Sequence, residues 1–386
     1  MTGKTVVILG GSIGGLGVAH RLLKHTLPKH QDLKVILVSK NSHFYWNVAA
    51  VRVIIPDLLQ DDELLQPIGP GLEQYNTAAH PAAAEFICGA AQSIDTSARS
   101  VVISTAGGNG DGASTRRTLI YDHLVIATGS RSAVPGMPWK ADGSHADLVA
   151  DIHRVAARVR AAAHIVVAGG GATGVEVCGE LRHEFPDKRV VLVAGGGDAL
   201  VGGDATAPAL ERALTSMGVV VRKGVRAVGT REGVDGDAGR TEVTLSDGET
   251  IVTDLYLPTV GMAPNSEFVP AELLDDKKLV RADEYMRVPG PARVWAVGDV
   301  VGGPGAGYLM TEAQASCVAN NITGALSGKE PERRGSVMDI VLFSTGRSGG
   351  VGRYRWVPIP SFAVWVAKSR TLGVERTPKF VDGSMW

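Results

Sequence analysis

One short arrangement occurs twice in this chain of 386 residues: an apolar strand, a glycine-rich turn, a helix and a second strand. The two copies begin at Thr5 and at Ile165, and their second strands lie at 33–38 and 190–193. Each copy is a β-α-β unit, in which the turn and the helix N-terminus hold the phosphates of a nucleotide. The repeat therefore predicts an α/β fold with two Rossmann-like domains that each bind a dinucleotide.

The second glycine turn matches the sequence G-x-G-x-x-G in full, with Gly169, Gly171 and Gly174 at the three glycine positions. The first glycine allows a tight turn, and the second lets the backbone approach a pyrophosphate. The third lets the helix pack closely on the strand. We predict that these three glycines bind a dinucleotide.

The first glycine turn departs from that pattern. It reads Gly10-Gly11-Ser12-Ile13-Gly14-Gly15, so a serine occupies the middle glycine position. A side chain there crowds the pyrophosphate at a cost of about 1–3 kcal/mol, although a serine hydroxyl can also bond a phosphate oxygen. Ser39 and Lys40 follow the second strand, where an acid usually binds the ribose hydroxyls. Two interpretations stay open: these residues bind a flavin cofactor, or the site is degenerate and no longer binds flavin tightly.

Three later segments are typical of flavoprotein reductases. The strand 121–126 leads into Ala127-Thr128-Gly129, which ends the first FAD-binding lobe in many of them. The segment 294–299 resembles their second FAD signature, in which the aspartate, here Asp299, bonds the ribityl chain. The segment 257–261 is a weaker match to the one that closes the nicotinamide domain. Their order and strand context predict that FAD contacts Thr128, Gly129 and Asp299, and that NADH or NADPH binds the second unit.

Nearly end to end, the chain resembles the pyridine-nucleotide-dependent flavoprotein reductases. Among them it is similar to the AMID-type homologues of apoptosis-inducing factor, which include ferroptosis suppressor protein. The segment 44–52, FYWNVAAVR, is close to that subfamily's FHHNVAALR, and the tail segments 346–352 and 367–370 match as well. The resemblance implies that NAD(P)H reduces FAD and that the electrons then pass to a quinone-like acceptor, often beside a membrane.

The resemblance also implies a glutathione-reductase-like domain order. An FAD-binding domain is expected at 1–130 and 262–330, with an NAD(P)-binding domain inserted at 131–261. A small C-terminal interface or acceptor-side domain is expected at 331–386.

Two residues are candidates for the chemistry itself. Glu176 matches the family acid near the nicotinamide; its alternative is an exposed helix charge, a role that Glu180 fits better. Lys368 matches the tail lysine of the family and is the candidate proton donor or electrostatic stabiliser for the acceptor. Its alternative is a solvated or lipid-facing lysine.

Four further residues are predicted to contact FAD. Asn47 stands at an expected helix start, where it either approaches the flavin or simply caps the helix. Arg52 closes the subfamily segment. Gln314 and Ala315 begin a helix expected from about Ala313 to Leu326, which in the family points its N-terminus at the flavin pyrimidine ring and stabilises the reduced anion.

The choice between NADH and NADPH stays open. The strand that ends at Val193 is followed by Ala194-Gly195-Gly196-Gly197. This segment has neither an acid for a free ribose 2′-hydroxyl nor an arginine for a 2′-phosphate.

Cysteine and charge content exclude other classes of protein. Cys88, Cys178 and Cys317 are far apart and form no CxxC pair, which excludes a dithiol relay and indicates an intracellular chain without a disulfide framework. The net charge of −1 gives no overall signal for nucleic-acid binding. The sequence contains no secretory signal and no apolar run that approaches the about 18 residues of a membrane span. Position 2 is Thr2 and not the glycine that myristoylation requires. We expect a cytoplasmic or peripherally membrane-associated protein, and nothing indicates its oligomeric state.

The tail from Thr345 onward is basic and aromatic. Trp356, Phe362 and Trp365 lie among arginines and lysines there. Such a segment either lies on an anionic membrane surface or packs against the other domains.

Three functions therefore compete. The first is an FAD-dependent NAD(P)H oxidoreductase that acts on quinones. The second keeps the flavin but reduces a dedicated small molecule of a biosynthetic pathway, and the third is a flavin-binding signalling protein with weak turnover.

Overall fold

A computed structural model describes residues 4–105, 115–197, 199–233, 239–303 and 307–386. The sequence also predicts a glycine-rich loop at 107–112 and a turn at Asp235-Gly236, and both lie outside the described residues. In chain order the strands are β1 Lys4–Leu9, β2 Leu33–Ser39, β3 His43–Tyr45, β4 Leu65–Pro67, β5 Ala84–Asp95, β6 Ser100–Thr105, β7 Thr115–Ile120, β8 His123–Ile126, β9 Ser130–Ser132, β10 His164–Ala168, β11 Arg189–Ala194, β12 Val220–Lys223, β13 Ala227–Glu232, β14 Thr241–Leu245, β15 Thr250–Thr253, β16 Leu255–Pro258, β17 Met262–Pro264, β18 Val294–Ala296, β19 Ile340–Ser344, β20 Gly350–Tyr354 and β21 Val357–Ile359. The α-helices are α1 Ile13–Arg21, α2 Ala50–Val53, α3 Asp61–Leu64, α4 Ile68–Glu73, α5 His145–Ala161, α6 Ala172–Glu184, α7 Ala207–Ser216, α8 Tyr308–Leu326, α9 Ser361–Val364 and α10 Thr377–Val381.

The first repeat forms a sheet in the order β18-β8-β1-β2-β5-β6-β7. The five strands from β18 to β5 are parallel, and β6 and β7 extend the sheet as an antiparallel hairpin. Val6 to Leu9 are buried on both faces, which explains why β1 is a continuous apolar run.

The second repeat forms a parallel sheet in the order β12-β11-β10-β16, with the antiparallel β13-β14-β15 packed against it. The segments that lead into and out of this unit, β9 and β17, pair with each other. The chain thus leaves the first unit, builds the second and returns, which confirms the predicted fold class. The domain boundaries stay a prediction.

The tail forms a third unit from the antiparallel sheet β19-β20-β21, α9, a turn of π-helix at Trp365–Ser369 and α10. Its β19 packs against α6 of the second unit. Its Phe380 stacks on Phe44 of the first unit, with ring centroids 5.5 Å apart. The tail therefore contacts both dinucleotide-binding units.

The helix expected from about Ala313 begins earlier, at Tyr308. Gly307 precedes it with φ 115°, a backbone angle that favours glycine. No side chain caps this start, so the usual polar signal for a helix N-terminus is missing from the sequence. Gln314 and Ala315 therefore lie in the second turn of α8, and the prediction that they begin it is wrong.

Candidate active site

The carboxyl ends of β1, β2, β8 and β18 open onto a cavity of about 1300 Å³. The first turn of α8, the start of α6 and the tail strand β19 complete its wall. Ligand pockets for single small molecules are usually about 300–1,000 Å³. The cavity therefore has room for an extended cofactor and a second ligand, at the sheet edge where α/β proteins bind nucleotides.

The glycine turn of the first unit lies in this cavity, and Gly10, Gly11, Ser12 and Gly14 line it. A Cβ on Gly10 would lie 2.2 Å from the Ala127 carbonyl oxygen, so no side chain fits where this turn crosses β8. Gly15 lies behind the wall, where a Cβ would lie 1.8 Å from the Gly10 carbonyl oxygen. This close packing of turn, strand and helix fits a bound dinucleotide.

Ser12 lies at the N-cap of α1 with ordinary extended backbone angles, φ −102° and ψ −164°. Its exposed side chain makes no capping hydrogen bond, so the hydroxyl is available to a ligand at the helix N-terminus. The middle position of this turn therefore tolerates a side chain.

Ser39 and Lys40 also line the cavity, at the carboxyl end of β2. The sequence lacks at this point the acid that usually binds the ribose hydroxyls. The structure brings a carboxylate to the same wall from elsewhere, because Glu267 lines it after β17 and pairs with Arg131 at 2.5 Å. Glu267 had no signal in the sequence, since it is more than 220 residues from β2.

Asp299, Thr128 and Gly129 line the cavity beside the ends of β8 and β18. The Asp299 carboxylate accepts a hydrogen bond from Lys140 Nζ at 2.7 Å. Lys140, which also lines the cavity, was not predicted from the sequence, because the segment that contains it matches no motif.

Gln314 and Ala315 are buried in α8 and do not line the cavity. Gln314 Oε1 instead accepts a hydrogen bond from the Gly298 backbone N–H at 2.8 Å, which braces the turn that carries Asp299. The cavity wall is formed instead by the first turn of α8, from Tyr308 to Thr311.

The second glycine turn lies next to the cavity, at the N-terminus of α6. Gly169, Gly171 and Gly174 are outside its wall, but Ala172, Thr173 and Glu176 form part of it. A Cβ on Gly174 would lie 1.8 Å from the Gly169 carbonyl oxygen, whereas one on Gly171 would meet nothing within 4 Å. The two glycine turns thus share the same tight contact.

The two predicted catalytic residues form an ion pair in the cavity wall, with Lys368 Nζ 2.6 Å from Glu176 Oε1. Lys368 also donates to the Leu342 carbonyl oxygen at 2.9 Å, and Glu176 accepts from the Ser344 backbone N–H at 2.8 Å. Glu176 is buried, so it is not an exposed helix charge. The Lys368 side chain is 22% exposed and paired, so it is not simply solvated.

Glu180 is fully buried, and its expected role as an exposed helix charge is wrong. Arg52 donates to both of its carboxylate oxygens, from Nε at 2.8 Å and from Nη2 at 2.7 Å. The remaining Arg52 hydrogen bonds go to the carbonyl oxygens of Ser369 and Arg370 in the tail. Arg52 therefore joins α2, α6 and the tail, and it does not line the cavity as its predicted cofactor role requires.

Asn47 lines the cavity, as expected for a residue near the flavin. It is the first residue of a short 3₁₀ helix whose N-cap is Trp46, and no side chain caps that helix. The structure thus gives no support to the alternative of simple helix capping.

The three cysteines are unpaired: Cys178 and Cys317 are buried and Cys88 is exposed. Partial burial raises the pKa of the Cys88 thiol, which disfavours the reactive thiolate. The described residues hold no group of side chains suited to a metal ion, and none of their helices is long and apolar enough to cross a bilayer.

Comparison with known proteins agrees with this fold and identifies the class of protein as an oxidoreductase. Residues 4–317 match the family described as pyridine nucleotide-disulphide oxidoreductase. The chain is 39% identical to oxidoreductase ptaL of Pestalotiopsis fici over 99% of its own length and all of that protein. It is 26% identical to human ferroptosis suppressor protein 1 over 97% of this chain and 95% of that one. The sulfide:quinone oxidoreductase of Aquifex aeolicus has the same fold, with a TM-score of 0.76 at 18% identity over 98% of this chain and 92% of that one.

Proposed function

The chain belongs to the pyridine nucleotide-disulphide oxidoreductase family and is a flavoprotein that uses FAD and a nicotinamide dinucleotide, and from this premise we propose that it passes electrons to a quinone-like acceptor. The observation that carries the proposal is the Glu176–Lys368 ion pair in the cavity wall. It joins the helix that follows the second glycine turn to the tail, where an acceptor can enter. Because the chain has no paired cysteines, the acceptor must take electrons from the flavin directly.

FAD, when bound, supplies a centre that takes a hydride from the nicotinamide and releases two electrons to the acceptor. The protein has to hold both partners in the cavity and exclude water. Gly10 to Gly14, Thr128 and Asp299 line the side on which we place FAD. Ala172, Thr173 and Glu176, at the start of α6, line the side on which we place the nicotinamide.

Reduction of a quinone to a quinol consumes two electrons and two protons, of which the hydride supplies both electrons and one proton. The second proton must come from the solvent through a group near the acceptor. Lys368 has an ammonium in the cavity wall, where Glu176 and the Leu342 carbonyl hold it. We assign Lys368 as the proton donor or electrostatic stabiliser at the acceptor.

Apolar and aromatic side chains form much of the acceptor side of the cavity, beside the Glu176–Lys368 ion pair. Its lining there includes Trp46, Tyr308, Ile340, Leu342, Phe343 and Leu372. Trp46 and Tyr308 meet edge to face, with ring centroids 5.8 Å apart. A flat, uncharged ring such as a quinone suits such a wall better than a polar substrate.

A Lys368→Ala variant should separate the two half-reactions. We expect anaerobic NADH or NADPH to bleach its flavin at close to the parent rate, and a ubiquinone analogue to reoxidise it about 100-fold more slowly, since a positioned acid contributes about 10²–10⁴. Stopped-flow absorbance follows both steps. Lys379→Ala, an exposed tail lysine outside the cavity, is the control. Equal loss in both half-reactions would refute the role of Lys368. If the parent protein neither bound FAD nor was bleached by NADH or NADPH, the proposed oxidoreductase activity would be refuted.

We also propose that the tail contacts a bilayer that carries the acceptor. Trp356 and Phe362 are 78% and 71% exposed, and Val366 lies just before the cavity residues Ala367 and Lys368. Burying large apolar side chains in an interface is favourable by about 1.5–3 kcal/mol each. Replacing Trp356 and Phe362 together with serine should lower the fraction that pellets with anionic vesicles at least about tenfold. Val228→Ser, an exposed apolar residue of β13, is the control, and unchanged pelleting would exclude this surface.

A dedicated aromatic substrate is the second candidate. In the segment FYWNVAAVR, tyrosine and tryptophan replace the two histidines of the subfamily, and Trp46 lies in the acceptor wall. The Trp46 indole N–H donates to the Leu372 carbonyl oxygen at 2.8 Å, which fixes the ring. Comparing reoxidation by isoprenoid quinones and by smaller phenolic quinones tests this candidate, since a dedicated enzyme should discriminate between them strongly.

A further inference from the structure

The carboxyl end of β11 is where dinucleotide-binding units distinguish NADH from NADPH. An acid there bonds the free 2′-hydroxyl of the adenosine ribose, whereas an arginine accommodates a 2′-phosphate. Here Ala194 ends the strand and three glycines follow, so the local sequence supplies neither group. The next acid along the chain, Asp198, lies outside the described residues.

The structure brings an arginine to this point from another part of the sheet. Arg226 follows β12, the neighbour of β11, and its side chain crosses Gly195. A Cβ on Gly195 would lie 2.1 Å from Arg226 Cγ, so the arginine occupies the space of the side chain that residue 195 lacks. Its Nε donates to the Gly195 carbonyl oxygen at 3.2 Å.

The Arg226 backbone is held in place. Its N–H donates to Ser246 Oγ at 3.0 Å, and its carbonyl oxygen accepts from the Ser246 N–H at 2.8 Å. Among the described residues, no carboxylate pairs with its guanidinium. The two cations of β12 each have a carboxylate partner, since Arg222 pairs with Glu249 and Lys223 with Glu211.

The glycine loop that follows Gly195, next to Arg226, is open. A Cβ on Gly196 or Gly197 would meet nothing within 4 Å, so this loop has room for a bulky anion. A guanidinium fork binds phosphate oxygens with two parallel hydrogen bonds, and hydrogen bonds between charged groups are the strong ones. A free 2′-hydroxyl offers no charge to this cation.

We propose that Arg226 binds the 2′-phosphate of NADPH and makes NADPH the preferred electron donor. This inference rests on the proposed nicotinamide site at the second glycine turn. It assigns the specificity to a residue that follows β12 rather than β11, with the glycines of 195–197 making room for it.

Calorimetric titration of the FAD-loaded protein with adenosine 2′,5′-bisphosphate (2′,5′-ADP) and with 5′-AMP, which lacks only the 2′-phosphate, tests the proposal. We expect 2′,5′-ADP to bind about 10- to 100-fold more tightly, because charge-assisted hydrogen bonds to that one phosphate distinguish the two ligands. Arg226→Ala should remove this difference and leave 5′-AMP binding within about twofold. Arg226→Lys, which keeps the charge but not the fork, should retain part of it. Arg222→Ala is the matched control and should bind both ligands like the parent.

Equal binding of the two ligands by the parent protein would overturn the proposal. So would an Arg226→Ala variant that weakens both ligands equally, which indicates support of the glycine loop rather than phosphate recognition. The outcome is independent of turnover: a protein that selects 2′,5′-ADP through Arg226 but reduces no quinone refutes the proposed function and leaves this assignment intact.

Discussion

Replacing Arg52 with methionine is expected to cost about 3–5 kcal/mol of unfolding free energy, because it leaves a carboxylate buried without its partner. Glu180 is fully buried, and Arg52 donates to both of its oxygens. Among the described residues, one further hydrogen bond reaches Glu180, from the Ser344 hydroxyl at 3.0 Å, which is too little to compensate a buried charge. The tail carbonyls of Ser369 and Arg370 also lose their donor.

Urea unfolding followed by tryptophan fluorescence measures this loss. Arg347→Met is the matched control, since Arg347 pairs with Glu184 on the same helix but is 46% exposed, and exposed pairs contribute about 0–1 kcal/mol. The double variant Arg52→Met with Glu180→Leu should recover most of the stability, since no buried charge remains. If Arg52→Met costs no more than Arg347→Met, the pair does not hold the three units together.

The two nucleotide-binding units were predictable because their signals are local. A buried strand, a glycine turn and a helix lie within about 30 residues. Gly15 and Gly174 each have a steric reason within their own turn, because a Cβ there would meet the carbonyl oxygen of Gly10 or of Gly169. Ser12 shows the limit of this reasoning. The pattern places glycine there for the approach of a ligand, but its backbone is ordinary, so a serine is compatible with the fold.

The contacts that complete the cavity were not predictable, because they join residues that are distant in the sequence. Arg52 and Glu180 are 128 residues apart, and the tail carbonyl of Ser369 is 317 residues from Arg52. A charged residue on a helix is usually exposed, so Glu180 was assigned to solvent. Arg226 and Gly195 are likewise separated in the sequence, and they meet only because β11 and β12 are neighbours in the sheet. Motifs thus identify the phosphate-binding turns, whereas packing between units decides which charges surround the cofactors.

The glycine turns themselves allow a test that assigns each unit to its cofactor. We expect Gly15→Ala to lose FAD and Gly174→Ala to keep it. In each case the new Cβ would lie 1.8 Å from a backbone carbonyl oxygen, that of Gly10 or of Gly169, and the helix N-terminus must move away from the turn. Forcing a side chain into such a contact costs about 3 kcal/mol, which is about a hundredfold in cofactor affinity.

Flavin absorbance per mole of purified protein reports on the first unit, and the rate of anaerobic bleaching by NADPH or NADH reports on the second. Gly15→Ala should purify nearly colourless, whereas Gly174→Ala should be yellow but bleach at least about 100-fold more slowly at low nucleotide concentration. Gly335→Ala is the control, since its Cβ meets nothing within 4 Å and it lies in neither turn. Loss of colour in Gly174→Ala with retention in Gly15→Ala would exchange the two assignments. If both variants lost FAD but Gly335→Ala kept it, the units would be coupled through the tail, and Arg52 would be the residue to examine, because its hydrogen bonds connect all three.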